Sequence, residues 1–420
     1  MPPAYAFPAS HAGDMEQTLT AGDESPQNPQ NPQNPRDSQA PPAAQASPVP
    51  VDSPASLLAL VPHLLGFIPE ASFVVIGIDP AGHVKVTLRY DLPDPPGIGV
   101  AADVATHAVG IIGSQGITTT AAVGYGPETL VDMVAAAVRD AAGEAGIDLQ
   151  EFLRVENGRY WSYVCGDEEC CPAAGVPFDA SADSASTAMD HAADEVLPGR
   201  AAVAARIAPL GGIAAESMHQ ATRRAERHVT QLLAKTRKSG RLGSVRHLIA
   251  SEGLAAVSSL IATYRAGGRF TTDYQLARMT VALRDLRARD DAWARMDPAH
   301  RDAHRRLWID VTRRAQPGYV AAPAALLAFV AWQSGDGALA NVALDRALAD
   351  DPRYSMALLL RQVITAGAPP SLARLPMTPE EVAASYDDAE AEAGAEAGGD
   401  ADDDHDMDLD VHDLDADDEL

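Results

Sequence analysis

The hexapeptide Phe73–Ile78 (FVVIGI) has no polar side chain at any position. Successive side chains of a strand point to opposite faces of the sheet, so a strand that is apolar throughout is predicted to be covered on both faces. The turn formers Asp79–Gly82 follow, and apolar and polar residues then alternate over Val84–Asp91, as is typical of a half-buried strand. The segment therefore predicts a hairpin whose first strand is central in a sheet.

The elements after this hairpin define the fold class. The pattern predicts, in order, a helix over about Ile98–Ile112, a strand near Thr118–Val123 and a helix that begins at Pro127-Glu128. The strands Phe152–Glu156 and Arg159–Val164 then flank Asn157-Gly158, which tolerates the positive φ values of a type I′ turn. The order β-β-α-β-α-β-β predicts an α/β (α+β) module over residues 52–178.

A helix is predicted before the first strand. Asp52-Ser53-Pro54 offers a cap with proline in the first turn, and an apolar stretch follows it. Proline removes a backbone donor and crowds the preceding turn, so Pro62 is predicted to end or kink this helix.

The second half of the chain has helical patterns and no convincing strand. We predict a linker over 179–198 and an all-α module over 199–376. Near its end, Ala340, Leu344 and Ala347, closed by Asp351-Pro352, match the second helix of a tetratricopeptide-like hairpin, with Ala324–Trp332 as the first helix. One hairpin is not an array, so this pattern predicts a packing style rather than a peptide-binding superhelix.

The two terminal segments differ in composition from the rest. Residues 1–51 are rich in Pro, Gln, Asn and Ala, and residues 377–420 contain nineteen acidic residues and no Lys or Arg. Residues 1–51 are predicted to be disordered because they can bury too little apolar surface. Residues 377–420 are predicted to be disordered because their carboxylates repel one another. Apart from these tails, residues 51–198 sum to −16 and residues 199–370 to +11, within a total of −27.

Composition excludes several classes of protein. An apolar content of 46% argues against a wholly disordered chain, and the opposite charges of the two halves argue against a protein that coats nucleic acid uniformly. The longest nearly uncharged apolar run, Val320–Trp332, is shorter than the roughly 20 residues that span a membrane. Three cysteines are too few for a disulfide scaffold, and the N-terminus lacks the pattern of a secretory signal. We expect a cytoplasmic protein without a membrane segment.

The three cysteines are the first candidate site. Cys165, Cys170 and Cys171 are spaced C-x4-C-C-P just after the Asn-Gly hairpin. Thiolates on a turn can hold zinc, with His191 or one of Asp167, Glu168 and Glu169 as a fourth ligand. Buried or half-buried structural thiols and a redox pair are the alternatives, and no other cofactor is predicted.

A second candidate is a polar cleft. His63 lies in a mostly apolar segment, and a histidine there is a candidate for a group that changes charge near neutral pH. Arg89 and Asp91 are two residues apart and therefore share one face of their strand. His63, Arg89 and Asp91 are therefore catalytic candidates that could line a cleft with the Cys165–Cys171 loop. The alternative for His63 is a histidine of the core, and the alternative for Arg89 and Asp91 is the solvated face of a strand.

A third candidate is the basic segment 222–247, because basic stretches attract phosphates by releasing counterions. The candidate polyanion-binding residues are Arg223, Arg224, Arg227, Lys235, Arg237, Lys238 and Arg241. A solvated basic face is the alternative. The acidic tail 377–420 can also lie across this module and compete with external anions.

Several blocks of sequence occur together in a recognisable order. They are Ser56–Pro69, Ser72–Val75, Thr87–Pro93, Arg159–Ser162 leading to Cys165 and Cys170-Cys171-Pro172, and the hairpin Ala328–Pro352 with Arg-Tyr-Ser after it. This set resembles an actinobacterial family known as domain of unknown function DUF4192, over about residues 52–370. The resemblance implies a bacterial, cytoplasmic protein and transfers no activity and no catalytic residue.

The functional prediction is a non-enzymatic protein-interaction or regulatory module with a protein partner. It rests on the oppositely charged halves, the helical hairpin and the lack of a catalytic signature. One alternative is an enzyme or small-ligand binder with the cleft described above. The other is nucleic-acid binding through residues 222–247. No oligomeric state is predicted.

Overall fold

The computed structural model describes residues 53–93, 97–178, 196–237, 242–370 and 378–388, without the side chains of 235–247. The predicted N-terminal tail, most of the predicted linker 179–198 and residues 389–420 lie outside this part. Within the predicted acidic tail, residues 379–388 form a helix. Its N-terminus carries a reciprocal cap, in which the Glu381 N–H donates to Thr378 Oγ1 (3.2 Å) and the Thr378 N–H donates to Glu381 Oε2 (2.6 Å).

Helix α1, Pro54–Leu65, begins at a capping box formed by Ser53 and Ser56 and ends at Gly66, whose φ is 74°. Pro62 was predicted to end or kink this helix; the helix continues through it to Leu65, so the predicted end at Pro62 is wrong. Its residues Leu57, Leu58 and Val61 are buried against the sheet. This packing outweighs the local cost of proline in the helix.

Six strands form one sheet in the order β2-β1-β3-β4-β5-β6. Their bounds are Ser72–Ile78, Val84–Asp91, Thr119–Tyr125, Asp148–Glu156, Arg159–Ser162 and Val176–Pro177 for β1 to β6. Strands β3 and β4 are parallel and every other neighbouring pair is antiparallel. The predicted β-β-α-β-α-β-β order is confirmed, and the two-residue strand β6 is an addition too short to produce a periodic signal.

Helices cover both faces of this sheet. Helices α2 (Ile98–Ser114) and α3 (Glu128–Ala145) pack on the face that carries Phe73, Val75 and Phe152. Helix α1 packs on the opposite face. All seven residues of β1 are buried, which confirms that this strand is covered on both faces.

The Asn-Gly turn has the predicted geometry. Asn157 has φ 51° and Gly158 has φ 71°, and both lie between the antiparallel strands β4 and β5. Positive φ at both central positions is the type I′ signature, whose twist matches that of the strands. This tight hairpin directs β5 toward the cysteine loop.

Residues 200–365 form the predicted helical module. The helices are α4 Arg200–Arg206, α5 Gly212–Arg237, α6 Leu242–Arg265, α7 Asp273–Ala282, α8 Leu286–Ala294, α9 Arg301–Arg314, α10 Ala321–Gln333, α11 Gly337–Asp350 and α12 Ser355–Thr365, with a short 3₁₀ turn at Pro298–His300. They share one large apolar core that includes Trp308, Tyr264 and Leu326. Among the described helices, none is both long and apolar enough to cross a membrane.

The predicted hairpin is formed by α10 and α11. Helix α10 is buried at nearly every position, which explains its continuous apolar sequence. Asp350, at the end of α11, accepts hydrogen bonds from the N–H groups of Gly318 (2.7 Å), Val320 (2.8 Å) and Ala321 (3.0 Å). A carboxylate therefore satisfies free donors at the start of α10 and ties the two helices together.

The two modules are joined by backbone contacts as well as by the chain. The Ile68 N–H donates to the Leu197 carbonyl (2.9 Å), and the Leu197 N–H donates to the Gly66 carbonyl (3.0 Å). Phe67 is 3% exposed and belongs to the core of the helical module. The segment after α1 thus anchors the sheet to the helices.

Candidate metal centre

The three cysteines lie in the loop between β5 and β6. The Cys165 and Cys170 sulfur atoms are 3.4 Å apart, and the Cys170 and Cys171 sulfur atoms are 3.5 Å apart. All three sulfur atoms lie within 4.8 Å of one another, and no disulfide joins them. The structure thus brings together the three residues that the sequence proposed as metal ligands.

This spacing matches the size of a tetrahedral thiolate site. With metal–sulfur bonds of about 2.3 Å, tetrahedral geometry places two sulfur ligands about 3.8 Å apart. The separations of 3.4 and 3.5 Å lie close to this value, and the Cys165 and Cys171 sulfur atoms are no more than 4.8 Å apart. The residues present therefore fit a soft divalent ion such as zinc.

The loop is folded back by its own hydrogen bonds. The Cys171 N–H donates to the Asp167 carbonyl (2.7 Å), and the Glu169 N–H donates to Asp167 Oδ1 (2.9 Å). At its start, the Cys165 N–H donates to Ser162 Oγ (2.9 Å). These turns return Cys170 and Cys171 to the beginning of the loop.

Side chains of β5 hold the far half of the loop. Trp161 Nε1 donates to the Ala173 carbonyl (3.1 Å), and Arg159 donates to the Gly175 carbonyl (2.7 Å). Gly175 has φ 77°, and a Cβ atom there would lie 2.5 Å from the Trp161 ring. Only glycine fits this close approach in this backbone conformation.

The buried Arg154 stacks on Trp161, the residue that holds the loop. The Arg154 side chain is 7% exposed, lies 3.8 Å from the Trp161 ring centroid and donates to Glu156 (2.9 Å). Stacking on the indole and pairing with a carboxylate stabilise a guanidinium away from water. Neither Arg154 nor Trp161 was predicted as a site residue, because β4 carries other charged residues and the sequence did not distinguish Arg154 from them.

The three thiols have different proton affinities. A hydrogen bond from the Asp167 backbone, followed by those from the neighbouring thiols, lowers the pKa of Cys165. The hydrogen bond to Cys165 raises the pKa of Cys170, and burial followed by the neighbouring sulfurs raises the pKa of Cys171 to about 12. Because metal binding requires thiolates, loading the site would release protons.

The surroundings of the sulfur atoms are open and acidic. Cys170 is exposed, and Cys165 and Cys171 are partly exposed. Residues 165–171 contain three acids and no basic residue, a charge balance that favours a cation. Within the described ranges, no carboxylate or imidazole joins the group formed by the three sulfur atoms, and His191 lies outside those ranges.

The predicted cleft is not formed by the residues assigned to it. Arg89 and Asp91 form an ion pair (2.6 Å) on the edge strand β2, whereas the cysteine loop follows β5, four strand positions away. At about 4.8 Å per strand, this separation is roughly 19 Å. The expectation that both sets line one cleft is therefore wrong, since strand order and not sequence decides which loops meet. His63 lies in the last turn of α1, on the face of the sheet opposite α2 and α3.

Two buried polar residues beside the Arg89–Asp91 pair were not predicted from the sequence. Ser72 on β1 is fully buried and pairs in register with Asp91 on β2 and with Tyr125 on β3. The Ser72 and Tyr125 hydroxyls and Arg89 Nε have no hydrogen-bond partner among the described residues, and neither has His63 Nδ1. Burial raises the pKa of Tyr125, so its hydroxyl stays protonated. Ser72 begins β1 and Tyr125 ends β3, and both lie just outside the strands that the sequence predicted.

The basic segment maps to α5 and the start of α6. Arg223, Arg224 and Arg227 are exposed, and Arg224 lies 4.4 Å from the Tyr274 ring centroid. The other predicted polyanion ligands lie outside the described side chains. These are Lys235, Arg237, Lys238 and Arg241.

A small apolar pocket of ≈ 100 Å³ lies between α5, α6, α7 and α8. On its polar side, Glu252 pairs with His228 (2.7 Å) and Arg278 (3.6 Å). The sequence offered no signal for this group, because its members come from three separate helices.

Comparison with known proteins identifies the domain. No curated protein and no solved structure matches the chain. The model of the family described as "Domain of unknown function (DUF4192)" matches residues 54–371, which include the whole sheet, the cysteine loop and helices α4 to α12. This match covers well over half of the sequence. The chain therefore belongs to the DUF4192 family.

Proposed function

We propose that this chain is a non-enzymatic protein-interaction or regulatory module that binds one zinc ion through Cys165, Cys170 and Cys171. The observation that supports the proposal is the placement of three sulfur atoms within 4.8 Å of one another. Thiolates favour zinc and other soft ions, whereas magnesium and calcium prefer oxygen ligands.

The proposed ion cross-links the loop between β5 and β6 at one edge of the sheet. Zinc with three protein ligands keeps a fourth position for another ligand. We assign this position to His191 or to a water molecule. The partial exposure of Cys165 and Cys171 supports a site that exchanges its ion with solution rather than one sealed in a core.

The other predicted functions have weaker support. Nucleic-acid binding through Arg223, Arg224 and Arg227 is supported only by their exposure. An enzyme site would need a different constellation from the predicted one, because the cysteine loop is remote from Arg89 and Asp91. Both stay predictions.

Metal titration of the full chain tests the proposal. Reduced, metal-free protein is titrated with Co²⁺, whose bonds to thiolates absorb in the near ultraviolet, and Zn²⁺ is then added. We expect one equivalent of Co²⁺ to bind with this absorption and Zn²⁺ to displace it, because zinc and cobalt accept the same tetrahedral ligands and zinc binds more tightly. Metal analysis after dialysis should find one zinc ion per chain.

Single Cys→Ser variants at 165 and 171 should lose stoichiometric binding. Val164→Ala is the matched control, since this side chain is 50% exposed in the same loop and offers no ligand. A titration without thiolate absorption, or equal binding by the serine variants, would refute the site.

A further inference from the structure

The helix at 379–388 lies beyond the family domain, which ends at residue 371. It packs on α8 of that domain. The Arg287 guanidinium pairs with Asp387 (2.8 Å), and the Tyr386 hydroxyl donates to Asp290 (2.7 Å). Val382, near the middle of the helix, is 5% exposed. A segment outside the domain therefore covers a surface of the domain.

The helix supplies the counter-charge of Arg287. Its side chain is only 10% exposed, and Asp387 is its ion-pair partner in the described part of the chain. A guanidinium that is buried without a counter-charge is unfavourable, so the α8 face is complementary to a carboxylate brought by another segment. The neighbouring Arg289 and Arg295 already pair with Asp290 and Asp291 on α8 itself.

The covering segment has matching chemistry. Residues 378–388 contain Glu380, Glu381, Asp387 and Asp388 and no basic residue. Glu380 acts electrostatically on Arg295, at the other end of α8 from Arg287. The segment is thus an acidic amphipathic helix with one apolar anchor, Val382, and one aromatic hydroxyl, Tyr386.

This helix contributes little buried apolar surface to its attachment. A ten-residue helix is marginal in isolation, and Val382 is its one buried side chain. The short connection 371–377 compensates, because a short tether gives an effective concentration of about 1 mM. A segment with a dissociation constant near 100 µM would then be docked about 90% of the time and still be displaced by a tighter ligand.

We propose that the α8 face around Arg287 and Asp290 is a docking site for an acidic amphipathic helix of a partner protein, and that residues 378–388 occupy this site in cis. The inference deepens the protein-interaction role proposed above by naming its surface and partner class. It does not involve the cysteine loop, so the peptide assay below and the metal titration can fail independently.

The test uses the full chain with its own helix released. Val382→Asp places a charge where the helix is buried, and it leaves α8 intact. A fluorescein-labelled peptide of residues 377–389 is added, and its anisotropy is measured. We expect the peptide to bind the Val382→Asp chain in the 10 µM to 1 mM range and the wild-type chain at least roughly tenfold more weakly, because a tethered helix competes for the same site. Ala384→Asp, an exposed position on the same helix, should behave as wild type.

A change in the peptide shows which contact carries the binding, without any risk to the fold of the protein. A peptide with Asp387→Asn should bind the Val382→Asp chain roughly tenfold more weakly, since it removes the charge that Arg287 pairs with. Absence of binding at 1 mM peptide would overturn the proposal. So would equal binding by the wild-type and Val382→Asp chains, or equal binding of both peptides.

Discussion

We predict that a buried histidine in the helical module makes the stability of this protein sensitive to acid. His304 on α9 is 1% exposed. Burial lowers its pKa to about 4, and the positive charges of Arg265 and His300 act in the same direction. Asp297 acts in the opposite direction but is outweighed by burial. The folded protein therefore keeps this imidazole neutral through the mildly acidic range.

The size of the effect follows from linkage. In the unfolded chain the imidazole has a pKa of about 6.5, so the unfolded state takes up the proton first as the pH falls. The contribution of His304 is fully present above pH 6.5 and is lost progressively as the pH falls toward 4. A difference of about 2.5 pKa units corresponds to about 3.4 kcal/mol in full, of which about 2 kcal/mol is lost at pH 5.

Urea unfolding of wild type and His304→Leu at pH 7.5 and pH 5.0 measures this loss. Between these pH values, wild type should lose about 2 kcal/mol more free energy of unfolding than the variant, because only wild type has this proton to bind. His219→Leu, at an exposed position, is the control and should follow wild type. If wild type and His304→Leu lose equal stability, the reasoning is refuted.

Two glycine variants and one aspartate variant test the loop and the hairpin. Gly175→Ala should weaken zinc binding roughly tenfold, because a Cβ atom there collides with Trp161, which supports the loop. Gly166→Ala is the control, because a Cβ atom there meets open space in the same loop, and it should bind zinc as wild type does. Competition with a chromogenic chelator measures the zinc affinity of both variants. Equal zinc affinities of the two variants would contradict the expected role of Gly175. Asp350→Ala should lower the free energy of unfolding by about 1–2 kcal/mol, because it removes the acceptor for three N–H groups before and at the start of α10. A loss below about 0.5 kcal/mol would exclude this role for Asp350.

Local patterns in the sequence predicted most elements of the fold. The apolar run Phe73–Ile78 predicted a strand covered on both faces, and Asn157-Gly158 predicted the hairpin that leads to the cysteine loop. These succeeded because strand alternation, helical periodicity and turn chemistry depend on residues only a few positions apart. The α10–α11 hairpin was predicted for the same reason.

Sequence-based predictions failed where contacts between distant segments of the chain decide the local structure. Pro62 lies inside α1 because burial of Leu57, Leu58 and Val61 outweighs its local preference. The helix at 379–388 belongs to a segment whose composition indicated disorder, yet Thr378 and Glu381 form a capping pair and Arg287 supplies a counter-charge. Composition averages over a tail and conceals such short signals.

For the candidate site, the sequence by itself determined the ligand type and the turn that precedes it. Cys165, Cys170 and Cys171 were identifiable as one cluster from their spacing alone. Only the tertiary structure decided that their sulfur atoms converge, since this depends on Trp161, Arg154 and Gly175 holding the loop. It also decided that the loop lies far from Arg89 and Asp91, because the order of strands in a sheet is set by long-range pairing that no local periodicity records.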